Sequence, residues 1–247
     1  MNPDTDYRER IYSRYVSEKL SLAAPPLESH DDAGAHAALQ HRLRGWLPED
    51  RNTPVLELGC GPGRVLRWLQ SLGFKNLTGV DRSPEQVAQA RQLCPGANII
   101  EGDLTSFLAK SHQKYGLIVA LDVLEHFRKD ELLPLMAGVV QALSPNGRLI
   151  AQTPNAESPW GTMHRYHDLT HEVCFDPHSL QHLFALSGLG GFEARECGPV
   201  PHGLLSATRF VLWRLIHMGL LAWNLIETGS GGSGVYTRVF VASARRS

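Results

Sequence analysis

Between residues 54 and 152 the chain alternates short apolar runs with longer segments whose apolar positions recur every three or four residues. The short runs have the composition of buried strands, the longer ones the period of amphipathic helices. Strands are expected at Val55–Leu58, Leu77–Val80, Asn98–Ile100, Leu117–Leu121 and Arg148–Gln152. The first intervening helix is Arg64–Leu72, with Val65, Leu66, Trp68, Leu69 and Leu72 on one face. Ser83-Pro84-Glu85 opens the next, a cap residue followed by proline at the first helical position, where its missing N–H costs nothing. A helix over Glu131–Leu143 and the turn Ser144-Pro145-Asn146-Gly147 precede the fifth strand. Beyond Thr153 the alternation stops. Residues 154–176 form a polar insertion, followed by a helix at Pro177–Ser187, a strand at Phe192–Cys197, an apolar run at Leu204–Ile226, a glycine-rich loop at Gly229–Gly234 and a last strand at Val235–Ala242. Residues 1–50 read as a helical arm, with an aromatic and charged stretch Tyr7–Leu20, a break at Pro25-Pro26 and a periodic run Ala35–Trp46. The expected organisation is that arm on a single α/β domain, 51–247, with a mostly parallel sheet.

Composition narrows the function classes. With 247 residues, 43% hydrophobic and a formal net charge of −1, the chain can bury a core and lacks the profile of a disordered protein. The neutral balance argues against binding driven by phosphate neutralisation, and there is no Asn/Asp-Pro-Pro-Tyr/Phe run of the kind used on base amines, so no nucleic-acid partner is expected. Four cysteines without CxxC spacing and an N-terminus without an apolar signal-like core point to a reducing, cytoplasmic setting. The apolar run is long enough to span a bilayer but carries Arg209 and Arg214, each costing about 2.5 to 3.5 kcal/mol near the membrane centre. At about 100° per residue, Ser206, Arg209, Arg214, His217, Asn224 and Glu227 fall within an arc of roughly 140°, which describes an amphipathic helix. Such a helix can pack on the sheet, join two copies as a homodimer, or dock peripherally at the inner face of a membrane, with Trp213 and Trp223 suited to that interface.

The candidate chemistry lies at the strand ends. Val55-Leu56-Glu57-Leu58-Gly59-Cys60-Gly61-Pro62-Gly63 sets three alternating glycines between a strand and a helix, where a backbone without Cβ can turn and approach a ligand. Asp81 ends the second strand, at the place where a carboxylate can accept from both ribose hydroxyls. Asp103 follows the third strand and Asp122 the fourth, so these residues should converge on one crevice beyond the carboxyl edge. Pro62 removes a donor from the turn and Glu57 adds a negative charge, which suits a cationic ligand better than a diphosphate.

On these motifs, and on Leu121-Asp122-Val123-Leu124-Glu125-His126 after the fourth strand, the chain resembles the class I S-adenosylmethionine-dependent methyltransferases from about residue 50 to 245. The resemblance implies a Rossmann-like three-layer sandwich with a seven-stranded sheet whose last strand is antiparallel, here with insertions after strands five and six. It implies S-adenosyl-L-methionine as cofactor, with Gly59, Gly61 and Gly63 at its methionine part, Asp81 at the ribose, Asp103 with Leu104 at the adenine, and Arg82, next to Asp81, among the cofactor-binding candidates. Glu57 would order the loop, and Asp122 completes the set.

Five of the 12 histidines lie between His164 and His182, in and just after the insertion. A hydroxyl acceptor must lose a proton, and histidine can take one at neutral pH. His171, with Asp168 to orient a ring, is the first candidate for acceptor contact or base, and His126 the second; His178 and His182 suit a helix surface. Pro154-Asn155-Ala156, Arg165-Tyr166-His167-Asp168-Leu169-Thr170-His171-Glu172, Phe175 and Ser179-Leu180 resemble the branch of ubiquinone-pathway and bacterial surface-glycan O-methyltransferases. Some quinone enzymes of that branch hold a divalent ion on an acidic-x-x-acidic-His run, a form that Asp122, Glu125 and His126 match. The expectation is methyl transfer to a hydroxyl of a glycan or lipid-linked glycan precursor. A quinone or other small phenolic acceptor is the alternative, and a non-catalytic cofactor-binding partner protein the reading from a different class.

Overall fold

The structure is a computed structural model that describes residues 32–246 together with Tyr7 and Ile11. Apart from those two residues, the stretch Tyr7–Leu20 and the break at Pro25-Pro26 lie outside the described residues. Seven strands, β1 (Val55–Leu58), β2 (Leu77–Asp81), β3 (Asn98–Glu101), β4 (Tyr115–Leu121), β5 (Leu143–Pro154), β6 (Leu189–Glu196) and β7 (Val239–Arg246), form one sheet in the order β3-β2-β1-β4-β5-β7-β6. β7 pairs antiparallel with both β5 and β6, and the pairs among β1 to β5 are parallel. The order reverses between β1 and β4, which opens a crevice at their carboxyl ends.

Each strand sends alternate side chains to opposite faces, and two cores result. In β4, Ile118 and Ala120 enter one core with Leu56 and Leu58 of β1, while Leu117 and Val119 enter the other with Val55. The second core is closed by α1 (Asp32–Arg42), α2 (Arg64–Ser71) and α3 (Pro84–Leu93). α4 (Leu104–Lys110), α5 (Lys129–Ala142) and α7 (Pro177–Leu186) cover the first. α2 shows why the sequence pattern works. Leu66, Trp68 and Leu69 are buried on one face, each worth about 1.5 to 3 kcal/mol of burial for a side chain of that class. Ser83 caps α3 by accepting from the Gln86 N–H, and Asp103 caps α4 by accepting from the Ser106 N–H.

The arm is tied to the sheet edge. Trp46 is buried, donates from its indole N–H to Glu193 (3.1 Å), and lies under the Arg195 guanidinium (3.8 Å to the ring centroid). Arg195 also donates to the carbonyls of Arg42 and Arg44, covering the exposed acceptors at the end of α1.

Four differences from expectation stand out. β5 starts at Leu143, five residues early, and pairs with Tyr115 there, so that the expected turn Ser144–Gly147 is an irregularity within the strand rather than a break before it. The insertion contains a helix, α6 (Gly161–His167), where a polar loop is expected. β6 starts at Leu189, three residues early. The last strand starts at Val239, four residues late, because polar contacts hold the segment before it as a loop. Asn155, buried at the end of β5, donates to the carbonyls of Val235 and Thr237, while the Tyr236 N–H donates to Glu196.

The apolar run forms one helix, α8 (Leu204–Thr228), ended by Gly229 in the left-handed region (φ 73°). Its polar side meets the domain. Trp213 and His217 bond the two Glu196 carboxylate oxygens at 3.1 and 3.2 Å, and Asn224 donates to the Tyr236 hydroxyl.

Candidate active site

The β1–α2 loop, the ends of β2 and β4 and the starts of α3, α4 and α5 enclose a cavity of about 510 Å³ at the crevice, within the range of small-molecule sites. Of the residues expected to hold the cofactor, Gly59, Gly61, Asp81, Arg82, Asp103, Leu104 and Asp122 line it. Gly59 (φ 64°) and Gly61 (φ 51°) adopt left-handed backbone, and a Cβ on Gly59 would lie 2.7 Å from a Val123 methyl. The Asp81 carboxylate ties the loop to the strand end, accepting from the N–H groups of Gly61 and Ser83 at 2.8 Å each. Burial raises its pKa, and those N–H bonds oppose the rise. An acidic group at this strand end above a glycine loop fits the ribose of S-adenosylmethionine, and the cavity's acidic lining fits its cationic sulfur.

Two expected residues lie off the cavity wall. Glu57 is buried under the loop with one carboxylate oxygen lacking a hydrogen-bond partner. Burial first, and the nearby Asp81 second, push its pKa well above the usual carboxylate range, which works against the charge expected of it. Gly63 (φ 85°) is the N-cap of α2, and a Cβ there would meet the Cys94 sulfur at 3.0 Å and the Ala90 Cβ at 3.2 Å. Its Cβ-free backbone serves helix packing. Gly63→Ala is expected to lower stability by about 1 to 3 kcal/mol, the usual cost of left-handed strain and overpacking, read as a drop in thermal midpoint.

β4 ends in an unusual turn. Asp122 has φ 54°, rare for a residue with a side chain, and its carboxylate accepts from the Gln152 amide at 3.0 Å. Burial raises the Asp122 pKa, with the Gln152 bond and then the nearby His171, Arg42 and His164 acting against the rise. A 3-10 turn, Leu124–His126, follows and points the His126 ring at the cavity. Glu125 is fully buried. One carboxylate oxygen accepts from Thr153 and the other has no partner, and burial, then Asp122, drive its pKa well above the usual range. Its backbone carbonyl accepts from the N–H groups of both Glu172 and Val173, which joins the insertion to this turn.

The insertion completes the cluster. Thr170 is fully buried, and its hydroxyl lies 2.6 Å from Asp168 Oδ1 and 2.8 Å from His126 Nδ1. Asp168 can only accept when ionised, so the hydroxyl donates to it and accepts from His126, which assigns the proton to Nδ1 and the lone pair to Nε2. His171 is outside the cavity lining. Its Nδ1 bonds the His164 carbonyl (2.9 Å), and its ring stands edge-on to His126 with centroids 4.8 Å apart. The structure thus brings Asp168, His126 and His171 together but gives only His126 a place on the wall. His178 and His182 are exposed on α7. Thr170, which no spacing rule singles out, is the link that sequence reasoning missed.

Donor atoms of Glu125, His126 and His171 lie within 4.8 Å of one another. Two imidazoles and a carboxylate suit a divalent transition ion, and these three, rather than Asp122, are the residues that would hold it. A bound ion would displace the proton that burial favours on Glu125.

Comparison with known proteins identifies the family. A family model described as "Methyltransferase domain" matches residues 9–191. Trans-aconitate 2-methyltransferase of Klebsiella pneumoniae (strain 342) is 29% identical over 162 residues, covering 65% of this chain and 56% of that protein. The same enzyme of Escherichia coli O139:H28 is 34% identical over 118 residues, covering 46% of this chain and 44% of that protein. The match thus spans about half the length of these curated relatives. Among solved structures, a SAM-dependent methyltransferase from Archaeoglobus fulgidus superposes with a TM-score of 0.65 at 16% identity, covering 94% of this chain and 99% of that one. N-methyltransferase NodS from Bradyrhizobium japonicum, in complex with S-adenosyl-L-homocysteine, gives 0.61 at 16% identity, covering 95% and 98%. With a methyltransferase model matched over most of its length and the fold and cofactor crevice described above, the chain belongs to the class I S-adenosylmethionine-dependent methyltransferases.

Proposed function

We propose that this methyltransferase acts on oxygen, transferring a methyl group to a hydroxyl of a glycan or lipid-linked glycan precursor. The observation that carries the reading is the Asp168–Thr170–His126 chain ending at the cavity wall. When bound, S-adenosylmethionine supplies a methyl group on a cationic sulfur, which an acceptor oxygen displaces. A carboxylate acceptor has no proton to lose at neutral pH, whereas a hydroxyl does, and a positioned base is useful only in the second case. His126 is placed to hold that proton at Nε2, while Thr170 and Asp168 fix its ring. The apolar wall formed by buried Val123 and half-buried Phe127 helps to exclude water. Should a divalent ion occupy Glu125, His126 and His171, it would take the His126 lone pair and supply Lewis acidity in place of the base. A lipid-linked acceptor further places the substrate at the cytoplasmic face of a membrane, and the outward apolar side of α8 is the part of the chain suited to meet it.

A second reading, a small carboxylic acid, is favoured by the names of the curated relatives and by Arg42 and His164 standing close enough to Asp122 to bear on its ionisation. The test is transfer of labelled methyl from S-adenosylmethionine to a panel of lipid-linked glycan fractions, catechol-type quinone precursors and trans-aconitate, followed by mild alkali. Label that survives is ether-bound and comes from a hydroxyl. Label released as methanol is ester-bound and overturns the proposal in favour of the carboxylate. Labelled catechols with no labelled glycan would move the acceptor to the phenolic class, and no transfer to any of them would favour a non-catalytic role.

A further inference from the structure

We infer that α8 is a membrane-docking helix that lies flat on an anionic lipid surface, its apolar face in the acyl-headgroup boundary and the domain on its polar side. The helix is built the wrong way round for a soluble protein. Ser206, Phe210, Trp213, His217 and Asn224 face the domain, whereas Val211, Leu215, Ile216, Met218, Trp223 and Ile226 are exposed. At about 100° per residue the outward side is apolar over roughly half the circumference, interrupted only by Thr208 and Gly219. That is wider than the narrow seam one helix presents to another, and is the width a flat surface covers.

The charges choose the occupant. Arg209 and Arg214 stand at the two opposite margins of the apolar side, where long cationic side chains can reach headgroup phosphates while the face is buried. Glu227 is the one acidic residue of α8, at its last turn, where it accepts from the Trp223 indole N–H at 2.6 Å. A second copy of this chain would set four arginines against two carboxylates, each Glu227 already engaged by the Trp223 indole, whereas an anionic surface meets every arginine. Spanning is opposed as well, because crossing the bilayer would break the bonds of Trp213 and His217 to Glu196 and of Asn224 to Tyr236. This surface gives the lipid-linked form of the proposed acceptor its location, but vesicle binding needs no acceptor, so the two ideas fail separately.

The experiment is co-sedimentation of the full chain with phosphatidylglycerol/phosphatidylcholine vesicles and with phosphatidylcholine alone, with S-adenosylhomocysteine binding and the thermal midpoint as folding controls. The unaltered protein is expected to bind the anionic vesicles and to be released by alkaline carbonate. Val211→Glu/Ile216→Glu, two exposed positions, should weaken vesicle binding at least about tenfold while leaving cofactor affinity and midpoint unchanged. Arg209→Glu/Arg214→Glu should weaken binding to the anionic vesicles by about tenfold or more and remove their advantage over phosphatidylcholine. Absence of binding by the folded, unaltered protein overturns the inference. So does equal binding by the Val211→Glu/Ile216→Glu variant, retention after carbonate, which would mean a spanning helix, or a solution dimer that this variant dissociates in a protein that ignores vesicles.

Discussion

His126→Asn is expected to lower kcat for the accepted substrate by about 10²- to 10⁴-fold, the range that positioned general bases contribute, while leaving S-adenosylhomocysteine affinity near that of the unaltered protein. The expectation rests on place. His126 is the histidine that the 3-10 turn after β4 delivers to the cavity wall, with Nδ1 held by Thr170 and Thr170 held by Asp168. The chain also predicts how the partners behave. Thr170→Val keeps the shape of a fully buried side chain and removes both hydroxyl hydrogen bonds, to His126 and to Asp168; loss of the one that orients the ring, at about 1.5 kcal/mol, corresponds to a rate loss on the order of tenfold. Thr170→Ser should restore most of it, because the hydroxyl and not the methyl carries the effect. A full rate in His126→Asn would remove the base assignment, and a Thr170→Ser variant as slow as Thr170→Val would reduce Thr170 to a packing residue.

Asp81→Ala should raise the dissociation constant for S-adenosylhomocysteine by about 10²-fold or more in isothermal titration. A carboxylate that accepts two ribose hydroxyls contributes two charge-assisted bonds of about 1.5 to 3 kcal/mol each. The same carboxylate carries the Gly61 and Ser83 N–H groups, so its loss also slackens the loop over the cofactor. Far-ultraviolet circular dichroism should show the fold retained, since the strand and α3 are held by their own cores. An affinity within about threefold of the unaltered protein would place the ribose elsewhere.

These two residues differ in how visible they are beforehand. Asp81 is local: it ends an apolar run, follows a glycine loop by about 20 residues, and precedes a Ser-Pro helix start. The same holds for β1, α2 and α3, each specified by neighbours within one element, whereas α4 and its Asp103 cap are not among the expected helices. His126 and Thr170 are 44 residues apart, and no periodicity links them; their contact exists because Glu172 and Val173 pair with the Glu125 carbonyl. Sequence reasoning therefore finds the histidine-rich insertion but puts His171 ahead of His126. The late start of β7 has a similar origin. Val235–Thr237 is apolar enough for a strand, yet Asn155 and Glu196, distant in the chain, take its backbone groups. The amphipathic arc of α8 is plain in the sequence, but an arc does not say which side faces inward. That is decided by Glu196 and Tyr236, which offer polar partners to Trp213, His217 and Asn224.

The amides of Glu172 and Val173 converge on one peptide oxygen in the turn that carries His126, and on the other side of the insertion Asn155 bridges Phe175. Both roots of the segment are therefore anchored, and a hinged swing of the whole segment would drag His126 away from the cavity. Admission of a bulky acceptor must instead come from bending within the span between those roots, around exposed Met163, Tyr166 and Leu169. Opening the entrance and holding His126 in place are in this way separate mechanical operations, so the span can breathe while the turn after β4 stays put.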